Sequence, residues 1–238
     1  MKEKKEKGRS ANDIPRLRIG KAFALHTLKY PYRKVLDSLA EKIIWIHPDV
    51  ISFVAFFVSL FTAVLYSQSG VYPYLLIVSI FLIIVRMTLN TLDGVIALKI
   101  GRVSMIGEMV NALPDRYADI FILIGISLSS LCITVIGMLA SLTVLLVSYS
   151  GMLGKAIGVS WQHHGPLDKV DRLFLIMLFS LIQFILLRMG HSSVAVFNYQ
   201  LSALDLCMIV FIILGQITVI NRARGMITEI KSAERSKK

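Results

Sequence analysis

Six long apolar segments constrain the fold of this chain more than any other feature of its 238 residues. They occupy residues 48–66, 72–98, 108–128, 131–151, 171–187 and 201–221. Each has about 17–27 residues, enough for a helix rising about 1.5 Å per residue to cross roughly 30 Å of hydrocarbon. Hydrophobic residues make up 55% of the chain, above the roughly 45–50% of a soluble domain. The pattern predicts an all-α integral membrane protein with six transmembrane helices and argues against a soluble enzyme.

The residues before the first segment repeat with the period of an amphipathic helix. Leu39 and Ile43 fall on one side, and charged residues such as Glu41 fall on the other. We therefore predict an interfacial amphipathic helix over residues 31–47, lying in the plane of the membrane surface. The lysine-rich residues 1–30 before it are predicted to form a basic cytoplasmic tail.

The chain carries 26 lysines and arginines against 15 acids, a formal net charge of +11. These bases are concentrated at both ends and in two of the connections between apolar segments, whereas the three opposite turns contain only Arg188. The positive-inside rule then places both termini in the cytoplasm, with a membrane domain over residues 48–222 and a basic cytoplasmic tail over residues 223–238. A basic rim around apolar spans is typical of a cytoplasmic membrane face, so we expect no nucleic-acid partner.

Ionisable and amide side chains interrupt the second and third segments, although a charged group inside a span costs about 2.5–3.5 kcal/mol on insertion scales. With about 100° between successive residues of a helix, they form one stripe on each segment: Arg86, Asn90, Asp93 and Ala97 on the second, and Glu108, Asn111, Asp115 and Asp119 on the third. Oxygen ligands without nearby cysteine or histidine suit Mg²⁺ or Mn²⁺. The alternative is a structural network in which Arg86 and Arg116 neutralise the carboxylates.

These two segments contain a motif that resembles the signature of the CDP-alcohol phosphotransferase family. The chain reads Asn90-Thr-Leu-Asp93-Gly94-Val-Ile-Ala97-Leu98, eight further residues, and Gly107-Glu-Met-Val-Asn111-Ala-Leu-Pro-Asp115. The family signature reads Asp-x-x-Asp-Gly-x-x-Ala-Arg and, after the same interval, Gly-x-x-x-Asp-x-x-x-Asp. The resemblance implies a membrane enzyme of phospholipid synthesis. Such an enzyme transfers a phosphatidyl-type group from a CDP-linked lipid to a small polar alcohol and releases CMP.

The resemblance also implies a role for each matching residue. The metal ligands it implies, for Mg²⁺ or Mn²⁺, are Asn90, Asp93, Asn111 and Asp115, with Asp119 as a weaker one. Asp115 would also be the catalytic base that deprotonates the acceptor hydroxyl. The nucleotide-binding residues it implies are Asp93, Gly94, Ala97 and Gly107. The family further implies a homodimer whose lipid substrate keeps its tails in the membrane.

The chain departs from the signature at three positions. Asn90 and Asn111 replace the first and third aspartates, and Leu98 replaces the arginine. Asparagine still offers an oxygen to Mg²⁺ but brings no negative charge, so we expect one tightly held ion and a second bound weakly or only with substrate. The paired asparagines resemble a variant branch of the family whose later motif reads Gly-Pro-x-Gly-Lys-x-Asp-Arg. Residues 165–172 match that motif except at Asp168.

Lys169 and Arg172 of this later motif are expected at the cytoplasmic mouth of the site. There they would contact a phosphate or an acidic acceptor. The alternative is that both residues serve only as ordinary cytoplasmic anchors beside a span.

Two further hypotheses stay open. The departures from the signature motivate a catalytically silent family member that binds CDP-lipid or nucleotide as a membrane partner protein. An ion or proton carrier built on Asp93, Asp115 and Asp119 is less favoured, because carrier sites lie near the midplane and these residues lie toward the cytoplasmic side. The acceptor stays open among inositol phosphate, glycerol phosphate, serine and other head groups.

Overall fold

A computed structural model describes residues 38–101, 105–159, 165–196 and 199–236, without the side chains of residues 105–111 and 236. The described residues are mostly helical. Their long helices are, in chain order, α1 (Pro48–Gln68), α2 (Tyr74–Lys99), α3 (Met105–Ser127), α4 (Thr134–Ala156), α5 (Lys169–Arg188) and α6 (Ala203–Ser236). A short antiparallel hairpin of β1 (Val194–Val196) and β2 (Tyr199–Leu201) precedes α6.

Five of these helices are long and apolar enough to cross a membrane. They are α1, α2, α4, α5 and residues Ala203–Arg235 of α6. Among the described residues α3 does not belong to this set, and its central turns carry Asp115, Arg116 and Asp119. The five apolar helices indicate an integral membrane protein, as predicted, and a sixth crossing by α3 stays a prediction.

The last helix differs most from the sequence-based boundaries. We predicted a span over residues 201–221 and a separate tail over 223–238, whereas α6 continues without a break to Ser236. Good helix formers without proline follow residue 221, and Arg235 lies in the last turn, where a cation interacts favourably with the helix dipole. Of the interfacial helix predicted over 31–47, residues 38–42 are helical, and residues 31–37 lie outside the described residues. The prediction is wrong for residues 43–47, which form a turn and an extended residue, because a residue before proline such as His47 disfavours the helical conformation.

Local sequence signals explain where two helices begin. Proline suits the first turn of a helix because its fixed φ is already helical and no hydrogen-bond donor is lost. Pro48 takes this position in α1, where the backbone N–H of Asp49 donates to Nδ1 of His47 at 3.4 Å. At the start of α5, the backbone N–H of Asp168 donates to the carboxylate of Asp171 at 3.3 Å.

The helices form one bundle in which α1 packs against α2 and α3, α4 against α3 and α6, and α5 against α2 and α6. Gly125 of α3 lies against the backbone of Ala63 in α1, and a Cβ at Gly125 would collide with it. Small residues permit such close approach between helices in membranes. Large apolar side chains such as Phe53, Phe57 and Phe61 are exposed on α1, which suits contact with lipid.

The end of the bundle opposite the charged half of α3 is fixed by Asp205. Its carboxylate accepts from the backbone N–H of Ile133 at 2.6 Å and of Ser202 at 3.0 Å. The hydroxyl of Ser202 donates in turn to the carbonyl of Leu131 at 2.5 Å. These bonds join the start of α6 to the connection between α3 and α4.

Candidate active site

The polar stripes of α2 and α3 face each other inside the bundle. Nη2 of Arg86 on α2 lies 2.6 Å from Oδ1 of Asp119 and 3.4 Å from Oδ1 of Asp115, both on α3. Arg86 is only 1% exposed. A buried charge of this kind is stable only when it is paired. The spacing in the sequence therefore predicted a real contact between the two helices.

Asp119 is paired through both of its carboxylate oxygens. Oδ1 binds Arg86, and Oδ2 accepts from Nη2 of Arg172 on α5 at 2.8 Å and lies 4.0 Å from Nη1 of Arg116. Asp119 is 7% exposed and Arg172 is 4% exposed. Removing one partner from such a buried set leaves an uncompensated charge. Asp119 therefore ties α2, α3 and α5 together.

Asp115 lies among three cations. Nζ of Lys169, the first residue of α5, donates to Oδ2 of Asp115. Nη2 of Arg116 lies 3.4 Å from the same oxygen, and Nη2 of Arg86 lies 3.4 Å from Oδ1. The ion-pair network considered above as an alternative is thus present around Asp115 and Asp119, and it includes both basic residues of the later motif.

Asp93 has a different environment. It is 1% exposed, and its Oδ2 accepts a hydrogen bond from the hydroxyl of Ser52 on α1 at 2.7 Å. Its Oδ1 is buried and has no hydrogen-bond partner in the described part of the chain. Ser52 lines a small cavity together with Asn90 and Asp115, so Asp93 adjoins the same site. An unpaired buried carboxylate oxygen is costly, and it indicates a position that a bound cation or donor would fill.

A small cavity between α1, α2 and α3 adjoins these groups. Its lining includes Ser52, Arg86, Asn90 and Asp115. Nη1 of Arg86 is also buried without a partner among the described residues. The cluster thus offers both an unpaired donor and an unpaired acceptor.

The connection before α5 determines where Lys169 and Arg172 lie. Leu167 is fully buried, and its backbone N–H donates to the hydroxyl of Thr218 on α6 at 3.2 Å. Gly165 has a φ of +139°, and a Cβ there would collide with the side chain of Thr218. Glycine is needed on both counts. The connection lies against α6 and directs the first turn of α5 toward α3.

Most of the residues proposed from the sequence meet in this cluster. Those that do so are Asn90, Asp93, Asp115, Asp119, Lys169 and Arg172. Gly94 and Ala97 are half-buried further along α2, and no described heavy atom lies within 4 Å of a Cβ built on Gly94. Leu98, at the position of the signature arginine, is exposed. The surroundings of Gly107 and the side chain of Asn111 are not among the described parts of the structure.

The oxygen atoms in this cluster are of the kind that binds a hard divalent cation, but the acidic side chains do not by themselves form a complete coordination shell. No group of three or more His, Cys, Asp or Glu side chains in the described ranges is arranged as a metal centre. Asp93 does offer a buried, unpaired oxygen, and the amide of Asn90 lines the adjoining cavity. Carboxylate and amide oxygens are the ligands such ions prefer. Amides or a bound ligand would have to complete the coordination shell.

Sequence reasoning missed part of this arrangement. Ser52 binds Asp93 from α1, and Thr218 holds the connection before α5, yet no motif singles out either residue. Arg86 had a usable signal, because it stands one helical turn before Asn90 on the same stripe. Its contact with two aspartates makes it part of the site as well as a neutralising charge.

The fold and this cluster define a class of membrane transferase, and comparison with known proteins supplies the family. The model of the family described as CDP-alcohol phosphatidyltransferase matches residues 45–214. The chain belongs to this family, and it is an enzyme of this class, which acts in phospholipid synthesis. The resemblance inferred from the motif is therefore confirmed. No comparison tests the two asparagines as the mark of a branch.

One curated relative is the archaetidylinositol phosphate synthase of Pyrococcus horikoshii, 26% identical over 173 residues, which are 72% of this chain and 87% of the relative. The fold is similar to crystal structures of the Mycobacterium tuberculosis phosphatidylinositol phosphate synthase PgsA1. The structure with CDP-DAG bound has a TM-score of 0.65 and 17% identity, and the match covers 81% of this chain and 94% of PgsA1. The structure with manganese and citrate also has a TM-score of 0.65 and 17% identity, covering 81% and 89%.

Proposed function

We propose that this protein transfers a phosphatidyl-type group from a CDP-linked lipid to a polar alcohol in a reaction that depends on Mg²⁺ or Mn²⁺. The observation that carries the proposal is the environment of Asp93. One of its carboxylate oxygens is buried and unpaired among the described residues, at the motif position where the family signature has an aspartate. Asp115, at the last position of the signature, lies in the same cluster.

In this reaction the acceptor hydroxyl attacks the phosphorus that carries the lipid. A new phosphorus–oxygen bond forms, the bond from that phosphorus to the CMP phosphate oxygen breaks, and CMP leaves with the bonding electrons. Asp115 takes the hydroxyl proton as the base. Such a substitution needs in-line positioning and neutralisation of the phosphate charge more than covalent help from the protein.

The metal would be held by the carboxylates of Asp93 and Asp115 with the amide oxygens of Asn90 and Asn111. When bound, it supplies positive charge against the diphosphate. Two asparagines in place of aspartates favour one tightly held ion. Asp119 has both oxygens paired with arginines, so we assign it to positioning the cluster rather than to the metal. The manganese complex of PgsA1 supports the choice of ion.

The nucleotide would lie along the cytoplasmic half of α2 against Asp93, Gly94 and Ala97, with Gly107 of α3 opposite. Among the described residues, nothing outside its own helix lies within 4 Å of a Cβ placed on Gly94, and this supports the placement. A flat base can approach a helix backbone where no Cβ intervenes.

A phosphorylated alcohol, with inositol phosphate first among the candidates, is the acceptor we favour. The described side chains of the cluster comprise three carboxylates (Asp93, Asp115 and Asp119) and four cations (Arg86, Arg116, Lys169 and Arg172), which leaves one net positive charge. Such a site attracts an anionic acceptor. The two named relatives are an archaetidylinositol phosphate synthase and a phosphatidylinositol phosphate synthase. Lys169 and Arg172 lie on the side of the cluster that α5 forms.

The membrane arrangement belongs to the same proposal. All six helices cross the membrane, the helical residues 38–42 lie at the interface, and the basic residues 1–30 and 223–238 lie in the cytoplasm with the site. The basic residues at both ends of the chain support this orientation. A homodimer is proposed by analogy with the family.

The decisive assay follows CMP release by purified protein in nanodiscs containing CDP-diacylglycerol. We expect release that requires Mg²⁺ or Mn²⁺ and one alcohol from a panel of inositol phosphate, glycerol phosphate, serine and inositol. Chelation should abolish the release, and readdition of Mn²⁺ should restore it. CMP release that persists in excess chelator would overturn the metal dependence.

The catalytically silent alternative has one structural observation in its favour. Asp115 is engaged by Lys169 and lies within 3.4 Å of two arginines, so cations lie against both of the oxygens that a catalytic base would use. Under this alternative CDP-diacylglycerol binds, but no alcohol releases CMP with either metal.

A further inference from the structure

Lys169 is hydrogen-bonded to the carboxylate of Asp115, the group that the proposed reaction uses as a base and metal ligand. Its ammonium group donates to Oδ2 of Asp115, and Arg116 lies 3.4 Å from the same atom. An oxygen held by an ammonium group is not free to take a proton or to bind a divalent ion. The contact between Lys169 and Asp115 must therefore open before the proposed reaction proceeds.

The charge of the cluster indicates which ligand arrives first. Its described side chains carry one net positive charge, because Asn90 and Asn111 stand where the signature has aspartates. A divalent cation approaching such a site is repelled, whereas the diphosphate of a CDP-linked lipid is attracted. Nucleotide binding is thus favoured before tight metal binding.

Lys169 is the cation in the cluster best able to move. The side chains of Arg86 and Arg172 are 2% and 5% exposed and are bound to Asp119 from two sides. The side chain of Arg116 is 29% exposed, but its Nη1 donates to the hydroxyl of Ser148 at 2.7 Å. The side chain of Lys169 is 25% exposed. Lysine has a flexible four-carbon stem and three rotatable donors, unlike the planar fork of arginine.

We infer that Lys169 is an exchangeable counter-ion for Asp115. In the empty site it neutralises Asp115. When a CDP-linked substrate binds, the ammonium group moves to the diphosphate, and Asp115 becomes free for the divalent ion and the acceptor proton. This inference rests on the proposed function, and it adds an order of events: nucleotide and metal bind cooperatively because each depends on the same lysine leaving Asp115.

The test uses Lys169→Met, which keeps an apolar stem and removes the charge, in the full-length protein in detergent. Mn²⁺ binding without nucleotide is followed by the electron paramagnetic resonance signal of free Mn²⁺, and CDP binding in chelator is followed by calorimetry. We expect the variant to bind Mn²⁺ more tightly and CDP more weakly, each by about tenfold, the size expected for a hydrogen bond to a charged group. The increase in Mn²⁺ affinity caused by CDP should shrink accordingly.

Two control variants separate this role from a structural one. Lys231→Met makes the same chemical change at an exposed position of α6 and should alter neither affinity. Lys169→Arg keeps the charge and should stay closer to the wild type than Lys169→Met for both ligands. A general loss of structure would weaken both ligands together, so weaker or unchanged Mn²⁺ binding by Lys169→Met contradicts the inference.

A double-mutant cycle provides a second test that does not need the metal. Asp115→Asn frees Lys169, so it should tighten CDP binding in chelator by about tenfold. In the Lys169→Met background the same change should alter CDP affinity by less than about twofold. Equal tightening in both backgrounds would show general charge repulsion by Asp115 and overturn the exchange. Metal-dependent CMP release by the wild type tests the proposed function separately, and it can succeed while this inference fails.

Discussion

Three aspartates of one cluster have three different environments. Asp119 has a cation on each oxygen, Asp115 shares its oxygens among three cations, and Asp93 has one hydroxyl partner and one unpaired oxygen among the described residues. A fully paired carboxylate stabilises the structure, and an unpaired one is available to a ligand. We therefore assign Asp119 to stabilising the site and Asp93 to binding a ligand.

This division predicts opposite effects of two conservative variants. Asp119→Asn leaves two buried arginines undercompensated, so it should lower the free energy of unfolding by about 3 kcal/mol. Asp93→Asn removes a buried charge that has one unpaired oxygen among the described residues, so it should leave the free energy of unfolding unchanged or raise it. It should nevertheless reduce Mn²⁺-dependent CMP release by about 100-fold or more. Thermal unfolding in detergent measures the first quantity, and the CMP assay measures the second. The division of roles is wrong if Asp93→Asn is the less stable of the two variants.

At the residue scale, the sequence identified the acids better than their partners. The stripes on α2 and α3 follow from helical periodicity alone, and Arg86, Asp115 and Asp119 do meet as the stripes predict. The hydroxyl of Ser52 comes from a helix that carries no motif. Its contact with Asp93 depends on how α1 packs on α2, which is a tertiary property that periodicity does not contain.

At the scale of elements, residues 165–168 pack against α6 and lead into α5, which carries Lys169 and Arg172 to the site. Its buried Leu167 and its hydrogen bond to Thr218 fix the origin of α5. Lys169 and Arg172 then reach α3 from a defined position. The later motif of residues 165–172 therefore fixes the packing of this connection in addition to supplying charges.

Gly165→Ala tests this role of the connection against a matched control. Gly158 also has a positive φ, of +81°, but no described heavy atom lies within 4 Å of a Cβ there. Both alanine variants should lose about 1 kcal/mol of stability from backbone strain, and Gly165→Ala should lose more because its Cβ also collides with Thr218. Only Gly165→Ala should also weaken CDP binding in chelator, because its Cβ would displace Thr218 and with it the start of α5. Equal CDP affinities in the two variants would show that the connection does not position Lys169.

The sequence predicted the number and order of the long helices but not all of their limits. The apolar segments and the helices of the structure coincide within a few residues for α1 to α5. The exception is α6, which extends through residues that read as a charged tail. Hydropathy reports where a helix can be buried in lipid, and it does not report where a polar helix continues into water.

At the scale of the whole molecule, charge and hydropathy together predict an oriented membrane protein. Basic residues flank the half of the bundle that contains the cluster, and the β1–β2 hairpin lies at the other end. The fold class follows from composition and segment length, whereas the reaction follows only from the motif. Composition alone would suit a transporter equally well.

The orientation is testable with single cysteines and a membrane-impermeant maleimide applied to intact cells. The two natural cysteines, Cys132 and Cys207, are buried and should give little background. We expect Ser192→Cys, next to the hairpin, to be labelled from outside, and Lys231→Cys to be labelled only after the membrane is permeabilised. The reverse pattern would place the site on the external face and refute the proposed topology.

The central claim is that Asp93 and its neighbours catalyse a metal-dependent transfer. The most direct measurement compares CMP release from CDP-diacylglycerol by the wild type and by Asp93→Asn, with inositol phosphate as acceptor and Mn²⁺ varied from zero. We predict Mn²⁺-dependent release by the wild type and at least about a 100-fold loss in the variant. Equal release by the two proteins, or none by a wild type that binds CDP-diacylglycerol with every acceptor tried, would contradict the account.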